Sequence, residues 1–391
     1  MRSMDAALTP EQKPFARTLD LDRAPFTVIW EVTRACDLRC VHCRADAQTW
    51  RDPRELSTEE GKRLLDQVRE LGSPVFIFTG GDPLRRPDLF ELIDHAVGLG
   101  LSAAITPSGT PLLTPEVVRR FRAHGIRRMG LSLDGPDAAS HDAFRQQPGS
   151  FAWSIAALEA ARACGLPVQI NTTVTRRNLD LLPRMAELVG GLGAVTWSVF
   201  FLVQVGRARQ EDQLTGDEFE QVFGFLYDLS GRVAFQVRTT AAPHYRRYVL
   251  QREVEARRRQ ASGVPHLLGT VSPGRPGDMP RALQGITDGR GLVFISHIGD
   301  VFPSGFLPIR AGSIRETSLG EIYRESPLLR ALRDPRQWWG KCRDCEFVRV
   351  CGGSRARAYA VYGDPLAEEP LCIYQPGRKA HAPRPPLALA E

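Results

Sequence analysis

The chain has 391 residues, 42% of them apolar and 25% charged, an ordinary balance for a globular protein with room for one large α/β domain and an appendage. No apolar run of about 18 residues is present to span a bilayer, and the N-terminus (MRSMDAALTPEQKPFARTLD) has neither an apolar core nor a small-residue cleavage site, so a soluble, cytoplasmic protein is expected. The net charge of +6 points to an anionic partner: nucleic acid, an acidic flavodoxin- or ferredoxin-type reductant, or a carboxylate-rich small molecule.

The first strand is predicted at 26–32 (FTVIWEV), and it leads into Cys36-Asp-Leu-Arg-Cys40-Val-His-Cys43. Three thiolates spaced C-x3-C-x2-C on one tight loop can ligate three irons of a cube that normally takes four cysteines, leaving one iron open. Structural zinc prefers four ligands in paired C-x2-C knuckles. With no secretory signal, the eight cysteines speak for metal ligation or catalysis rather than disulfides.

Short β-branched or aromatic runs then alternate with amphipathic segments, the pattern of repeated βα units. A helix over 57–71 opens with Ser57 and Glu60 in capping-box spacing and stops at Gly72. The strand at 75–79 ends in Gly80-Gly81-Asp82-Pro83, and a helix follows at 88–99. The strand at 101–105 ends in Thr106-Pro107-Ser108-Gly109-Thr110, before a helix at 115–124. The strand at 128–133 ends in Ser132-Leu133-Asp134-Gly135 and continues to His141, Asp142, Arg145 and Gly149-Ser150-Phe151. A helix at 151–164 carries Cys164, which reads as a small buried hydrophobe. Strands at 167–174, containing Asn171, and 195–202 alternate with helices at 179–190 and 215–229. Six βα units make a partial (β/α)6 TIM-type barrel, since closure needs eight, and its functional loops belong at the strands' C-terminal ends.

Residues 236–285 break the rhythm with a basic helical stretch, containing Arg246, Arg247, Arg252 and Arg257 to Arg259, and a Pro/Gly-rich segment. They read as a connector or a substrate-covering segment. A hairpin turning at Gly299-Asp300, a helix at 318–332 and the tail Cys342-x2-Cys345-x5-Cys351-x20-Cys372 follow. Four thiols suit a fully ligated cluster or tetrahedral zinc. The expected division is an N-terminal extension (1–24), a core (25–235), the connector (236–285), a cysteine-rich module (286–378) and a tail (379–391).

Taken together, the C-x3-C-x2-C loop after strand one, the GGDP turn, the S-L-D-G…H-D…R…G-S-F stretch and the C-x2-C-x5-C tail resemble the radical S-adenosylmethionine (radical SAM) superfamily, over roughly residues 26–378. The resemblance implies that Cys36, Cys40 and Cys43 hold a [4Fe–4S] cluster whose open iron binds S-adenosylmethionine. It further implies cofactor contacts at Gly80, Gly81, Asp82 and Pro83, at Thr106 and Ser108, and at Ser132, Asp134, Arg145 and Asn171. Asp82 replaces the family's Glu and Ser108 its Asn. The tail resembles a small C-terminal SPASM/twitch-like iron–sulfur domain in which Cys342, Cys345, Cys351 and Cys372 close one auxiliary [4Fe–4S] cluster; Ser304, Ser354 and Arg355 stand where a second would need cysteines.

The stretches FISHIGDVFPSGFLP and CGGSRARAYAVYGDPLAEEPLC are similar to the haem-pathway members of the superfamily, coproheme decarboxylases among them. That implies oxidative decarboxylation of porphyrin side chains, with Arg246, Arg247, Arg355 and Arg357 as carboxylate partners and His244 as a candidate ligand for a substrate iron. Two other readings stay open: a radical maturase of peptide or protein side chains, although only some 25 residues precede the first strand, and a non-catalytic electron-transfer or sensor protein.

Overall fold

The computed structural model describes residues 20–72, 74–261 and 285–377; the Pro/Gly-rich part of the connector at 262–284 lies outside them. All six predicted strands are present: β1 (Thr27–Glu31), β2 (Val75–Thr79), β3 (Ser102–Ile105), β4 (Arg128–Ser132), β5 (Val168–Val174) and β6 (Thr196–Phe201). They pair in parallel in chain order. Their alternation is physical. On β1, Val28 and Trp30 are fully buried against the helices, whereas Thr27 and Ile29 line the barrel interior.

The helices between them bury one stripe each. In α1 (Thr58–Glu70) the stripe is Gly61, Leu64, Leu65 and Val68, at helical spacing, and each such Leu or Val contributes about 1.5–3 kcal/mol on burial. The capping box is formed: the Ser57 hydroxyl accepts from the Glu60 N–H at 3.2 Å, and the Glu60 carboxylate accepts from the Ser57 N–H at 2.8 Å. The outer layer continues with α2 (Leu89–Gly98), α3 (Pro115–Ala123), α4 (Ala138–Arg145), α5 (Ser150–Ala163), α6 (Leu182–Gly191) and α7 (Gly216–Ser230).

The sheet extends beyond the six strands at both ends. β7 (Gln236–Thr240) adds in parallel to β6, and α8 (Tyr245–Ala261) follows it. The predicted hairpin consists of β8 (Leu292–Ile295) and β9 (Asp300–Phe302), with the two-residue β10 (Gly312–Ser313) beyond. β8 also pairs in parallel with β1, so the sheet order is β10-β9-β8-β1-β2-β3-β4-β5-β6-β7. The predicted helix at 318–332 is two, α9 (Leu319–Glu325) and α10 (Pro327–Arg333). The break falls at Ser326 (ψ 124°), because the residue before a proline avoids helical geometry. Among the described residues the last helix is α11 (Arg355–Tyr362). Among the described residues no helix is long and apolar enough to cross a membrane.

Candidate active site

The loop after β1 is built by close backbone docking. The N–H groups of Gly81 and Asp82 donate to the Thr33 and Ala35 carbonyls at 2.8 and 2.7 Å, which lays the turn after β2 directly on the strand leading to Cys36. A Cβ on Gly81 would stand 2.5 Å from the Ala35 oxygen and 2.6 Å from that of Arg34, so the double glycine is demanded by contact. From the other side the loop after β6 holds the cysteines. The Arg207 N–H donates to the Cys43 carbonyl and its Nε to the Cys40 carbonyl, both at 3.0 Å. Gly206 lies against the Cys43 and Arg44 carbonyls with φ +60°.

Cys36 and Cys40 are buried and Cys43 half-buried, and all three face one cavity. Burial pushes the Cys36 thiol up to about 12. It raises Cys40 as well, against the opposing Arg145 guanidinium, whose Nη1 lies 3.4 Å from the sulfur. Thiols in such surroundings stay protonated without a metal and release their protons on ligating one. Burial works against the charge on Arg145, but the Asp134 carboxylate and the Cys40 sulfur hold the guanidinium ionised. His42, against the Phe144 ring at 4.7 Å, is kept neutral by burial.

α4 explains the histidine and aspartate of the stretch after β4. His141 Nδ1 accepts from the Asp134 N–H at 3.2 Å, and burial holds its pKa down to about 3, so the ring stays neutral and able to accept. The Asp142 carboxylate accepts from the N–H groups of Gly149 and Phe151, each at 2.7 Å, closing the start of α5. Glu31 at the end of β1 is fully buried. Burial alone would raise its pKa, but Arg44 at 3.3 Å and His297 keep it lowered. Arg44 also lies over Phe294 of β8 at 4.4 Å, so the cysteine loop and the hairpin share one ion-pair network.

The cavity holds about 1860 Å³, beyond the 300–1,000 Å³ or so usual for one small ligand. Gly80, Gly81, Thr106, Ser108, Ser132 and Asn171 line it beside the cysteines. The Ser108 hydroxyl is 3.6 Å from the Cys36 sulfur. Deeper in, the β1–β3 side is apolar (Ile29, Ile77, Ala104), and the β4–β7 side is polar (Arg128, Gln169, Ser198, Gln236, Arg238). Its arginines are Arg44, Arg128, Arg145, Arg238, Arg246 and Arg257, against the carboxylates Glu253 and Asp288.

A second, small pocket is lined by Cys342, Cys345, Cys351 and Cys372 with His244, Arg247 and Lys341. Burial raises all four thiols, Cys345 to about 11 and Cys351 to about 12. Among the described residues no three His, Cys, Asp or Glu side chains converge on a single-ion site; a four-iron cube takes its thiolates at separate corners.

Residues 30–189 match the radical SAM superfamily, and residues 287–346 match the SPASM iron–sulfur cluster-binding domain. The chain belongs to the radical SAM superfamily. It is 44% identical to the AdoMet-dependent heme synthase of Oleidesulfovibrio alaskensis, over 91% of this chain and 89% of that one. It is 40% identical to the protein of that name in Methanosarcina barkeri, over 92% of this chain and 99% of that one. The crystal structure of Streptococcus suis SuiB bound to S-adenosylmethionine shares the fold, with a TM-score of 0.68 at 16% identity, covering 90% of this chain and 78% of that one.

As a radical SAM protein with a SPASM domain, the chain takes S-adenosylmethionine, a [4Fe–4S] cluster and an auxiliary cluster, and the residues present fit them. Seven of the eight cysteines fall in the two pockets, and the eighth, Cys164, caps α5. Several expected contacts need correction. Asp82 turns away from the cavity: fully buried, it accepts from the Thr110 hydroxyl at 2.8 Å and the Leu84 N–H at 3.1 Å, so it braces the turn, and Pro83 beside it does not line the cavity either. Asp134 pairs with Arg145 and accepts from the Thr173 N–H.

The substrate arginines are also redistributed. Arg355 is buried, donates to the Pro365 and Ala367 carbonyls and stacks on Trp338. Arg357 pairs with Glu369, and Arg247 with Glu220. Of the four, only Arg246 lines the large cavity, with its Nη atoms on the Val350 and Ile286 carbonyls. His244 lies in the auxiliary pocket, so it is not placed to meet a substrate iron. Arg128 and Arg238 also line the cavity and were not singled out from the sequence. Their signal was an arginine at an inward register position of a strand, which the alternation rule assigns to the barrel interior.

Proposed function

We propose that this chain is a radical SAM enzyme of haem biosynthesis that oxidatively decarboxylates propionate side chains of an iron-porphyrin. The observation that carries this reading is the two-sided interior of the barrel, an apolar wall facing an arginine-bearing polar wall, directly under the three-cysteine loop. A tetrapyrrole is a flat apolar disc with anionic arms and suits such a chamber. Support comes from the relatives that carry the heme synthase name.

When bound at the three-cysteine loop, the cluster and S-adenosylmethionine supply a 5′-deoxyadenosyl radical that abstracts a hydrogen atom. The chain's part is to place the carbon that loses it. In this reading Arg128 and Arg238 take a propionate carboxylate by charge-assisted hydrogen bonds, Ile29 and Ile77 pack the macrocycle, and Ser132, Asn171 and Ser108 hold the polar end of the cofactor. Arg145 fixes the Cys40 side of the loop. The positive net charge suits an acidic flavodoxin- or ferredoxin-type donor in the cytoplasm.

The test incubates anaerobically reconstituted protein with S-adenosylmethionine, dithionite and iron-coproporphyrin III, and follows 5′-deoxyadenosine and porphyrin mass. Conversion of two propionates to vinyl groups is expected, each with loss of CO2, formation of one 5′-deoxyadenosine and transfer of the one remaining electron to the auxiliary cluster as acceptor. Formation of 5′-deoxyadenosine with an unchanged porphyrin would overturn the substrate and redirect attention to peptide or protein side chains. Absence of 5′-deoxyadenosine from protein that retains its clusters would overturn the enzyme reading.

A further inference from the structure

His244 has no hydrogen-bond partner for its ring among the described residues. It precedes α8 and is fully buried, with its ring stacked on Phe219 (centroids 5.3 Å apart, planes 16°) and edge-on to Phe223 (4.9 Å, 71°). Both ring nitrogens are buried, and neither has a hydrogen-bond partner among the described residues. An imidazole carries at least one N–H in every protonation state, and a buried donor left without an acceptor is strongly disfavoured.

The ring's open side decides where that donor points. Phe219 covers one face and Phe223 meets the ring at a steep angle, and the space it lines is shared with Cys342, Cys345, Cys351 and Cys372. Each neighbouring charge already holds a partner. Arg247 pairs with Glu220, Arg357 with Glu369, and the Lys341 ammonium donates to the Cys372 carbonyl. Four thiolates take the four corners of a [4Fe–4S] cube, which leaves the ring no iron to bind but offers it sulfur acceptors.

We infer that His244 donates its N–H to a sulfur of the auxiliary cluster and thereby raises that cluster's reduction potential. The inference rests on reading the tail as a cluster site. Reduction adds negative charge to the cluster, so a donor aimed at a sulfur stabilises the reduced form more than the oxidised one. His244 is thus a positioning and tuning residue rather than a catalytic one. The stack of Phe219 and Phe223 fixes the ring plane.

The experiment is an EPR-monitored redox titration of the anaerobic full-length holoenzyme, its His244→Phe variant, which fills the space without a donor, and its His244→Gln variant, which restores an N–H. S-adenosylmethionine marks the signal of the radical-site cluster. At the parent's auxiliary midpoint, His244→Phe should lower the reduced-to-oxidised ratio about tenfold, equivalent to about 59 mV for a one-electron couple. His244→Gln should recover most of this shift, and the radical-site potential should stay fixed. An unmoved auxiliary potential in His244→Phe, at full iron content, would overturn the inference. So would loss of auxiliary iron in both variants, which would make the ring a ligand. A parent protein with only one cluster signal would instead overturn the reading of the tail.

Discussion

Breaking the ion pair between Arg357 and Glu369 should destabilise the fold more than removing both charges. Neither side chain meets solvent, at 1% and 0% exposure. The Glu369 carboxylate accepts from Arg357 Nη1 at 3.1 and 3.2 Å and from the Ser354 and Leu371 N–H groups at 2.8 and 3.2 Å. Arg357 Nη2 donates to the carbonyls of Phe201, Leu202 and Ala241 at 3.4, 3.2 and 2.8 Å. The pair therefore staples α11 to the ends of β6 and β7.

Arg357→Met leaves a buried carboxylate uncompensated, a loss of about 3–5 kcal/mol. At a urea slope of about 3 kcal/mol per molar, the unfolding midpoint falls by about 1–1.7 M. Adding Glu369→Gln removes the orphaned charge and should recover part of that loss. The pH dependence gives a second check. Burial alone would raise the Glu369 pKa, but Arg357 and His244 keep it below its ordinary 4.5. The parent therefore holds this stabilisation above pH 4.5 or so and loses it as pH falls through the lower folded value. In Arg357→Met burial is opposed only by His244 and the Ser354 and Leu371 N–H groups, so the carboxyl protonates more readily and the deficit should narrow on moving from pH 7 to pH 5. The assay is urea unfolding of anaerobic holo-protein by tryptophan fluorescence. A midpoint within about 0.3 M of the parent, or a double variant less stable than the single one, would refute the reasoning.

Replacing Cys36, Cys40 and Cys43 together by Ala should abolish 5′-deoxyadenosine formation while leaving about four irons at the tail, as read by iron analysis; loss of all iron would show that the tail holds no cluster of its own. Arg128→Met and Arg238→Met each remove a charge-assisted contact worth about 1.5–3 kcal/mol, so the porphyrin KM should rise about 10- to 150-fold. Substrate-free cleavage of S-adenosylmethionine should be unchanged in both, as measured by steady-state and uncoupled turnover. Asp82→Asn should leave S-adenosylmethionine affinity within about threefold of the parent by equilibrium binding, because the side chain faces Thr110 and Leu84. Burial lifts the Asp82 pKa from 3.8 to about 6. Its contribution to parent stability therefore falls as pH rises between those values, and thermal unfolding of the Asn variant should lack that slope.

Local patterns made the barrel legible. Six strands and the α1 capping box follow from periodicity and cap chemistry acting within a few residues. β7 escaped because QVRTT has no apolar face: all five residues are only half-buried, since the strand closes one edge and looks into the cavity. α4 escaped because its start is a side-chain event, the Asp137 carboxylate accepting from the Ser140 N–H at 3.0 Å, inside a stretch read for its motif.

At the site, spacing identified the ligating cysteines because ligands on one loop are neighbours in sequence. The arginines could not be sorted that way. Arg355 and Arg357 resemble carboxylate binders in sequence, yet each is tied to partners in its own module and the adjoining barrel, a fact of tertiary packing. Arg128 and Arg238, by contrast, come together only when β4 and β7 face one chamber.

The pairing of Thr27–Trp30 with Leu292–Ile295 bears on how the protein is made. The strand that carries the cysteine loop acquires its second neighbour only after nearly three-quarters of the chain has left the ribosome, and the Gly206–Arg207 clasp also arrives well after the cysteines. Closing so long a loop delays native contacts. Iron is therefore expected to enter the three-cysteine site after synthesis, into a nearly finished barrel, and chains truncated before the hairpin should emerge without it.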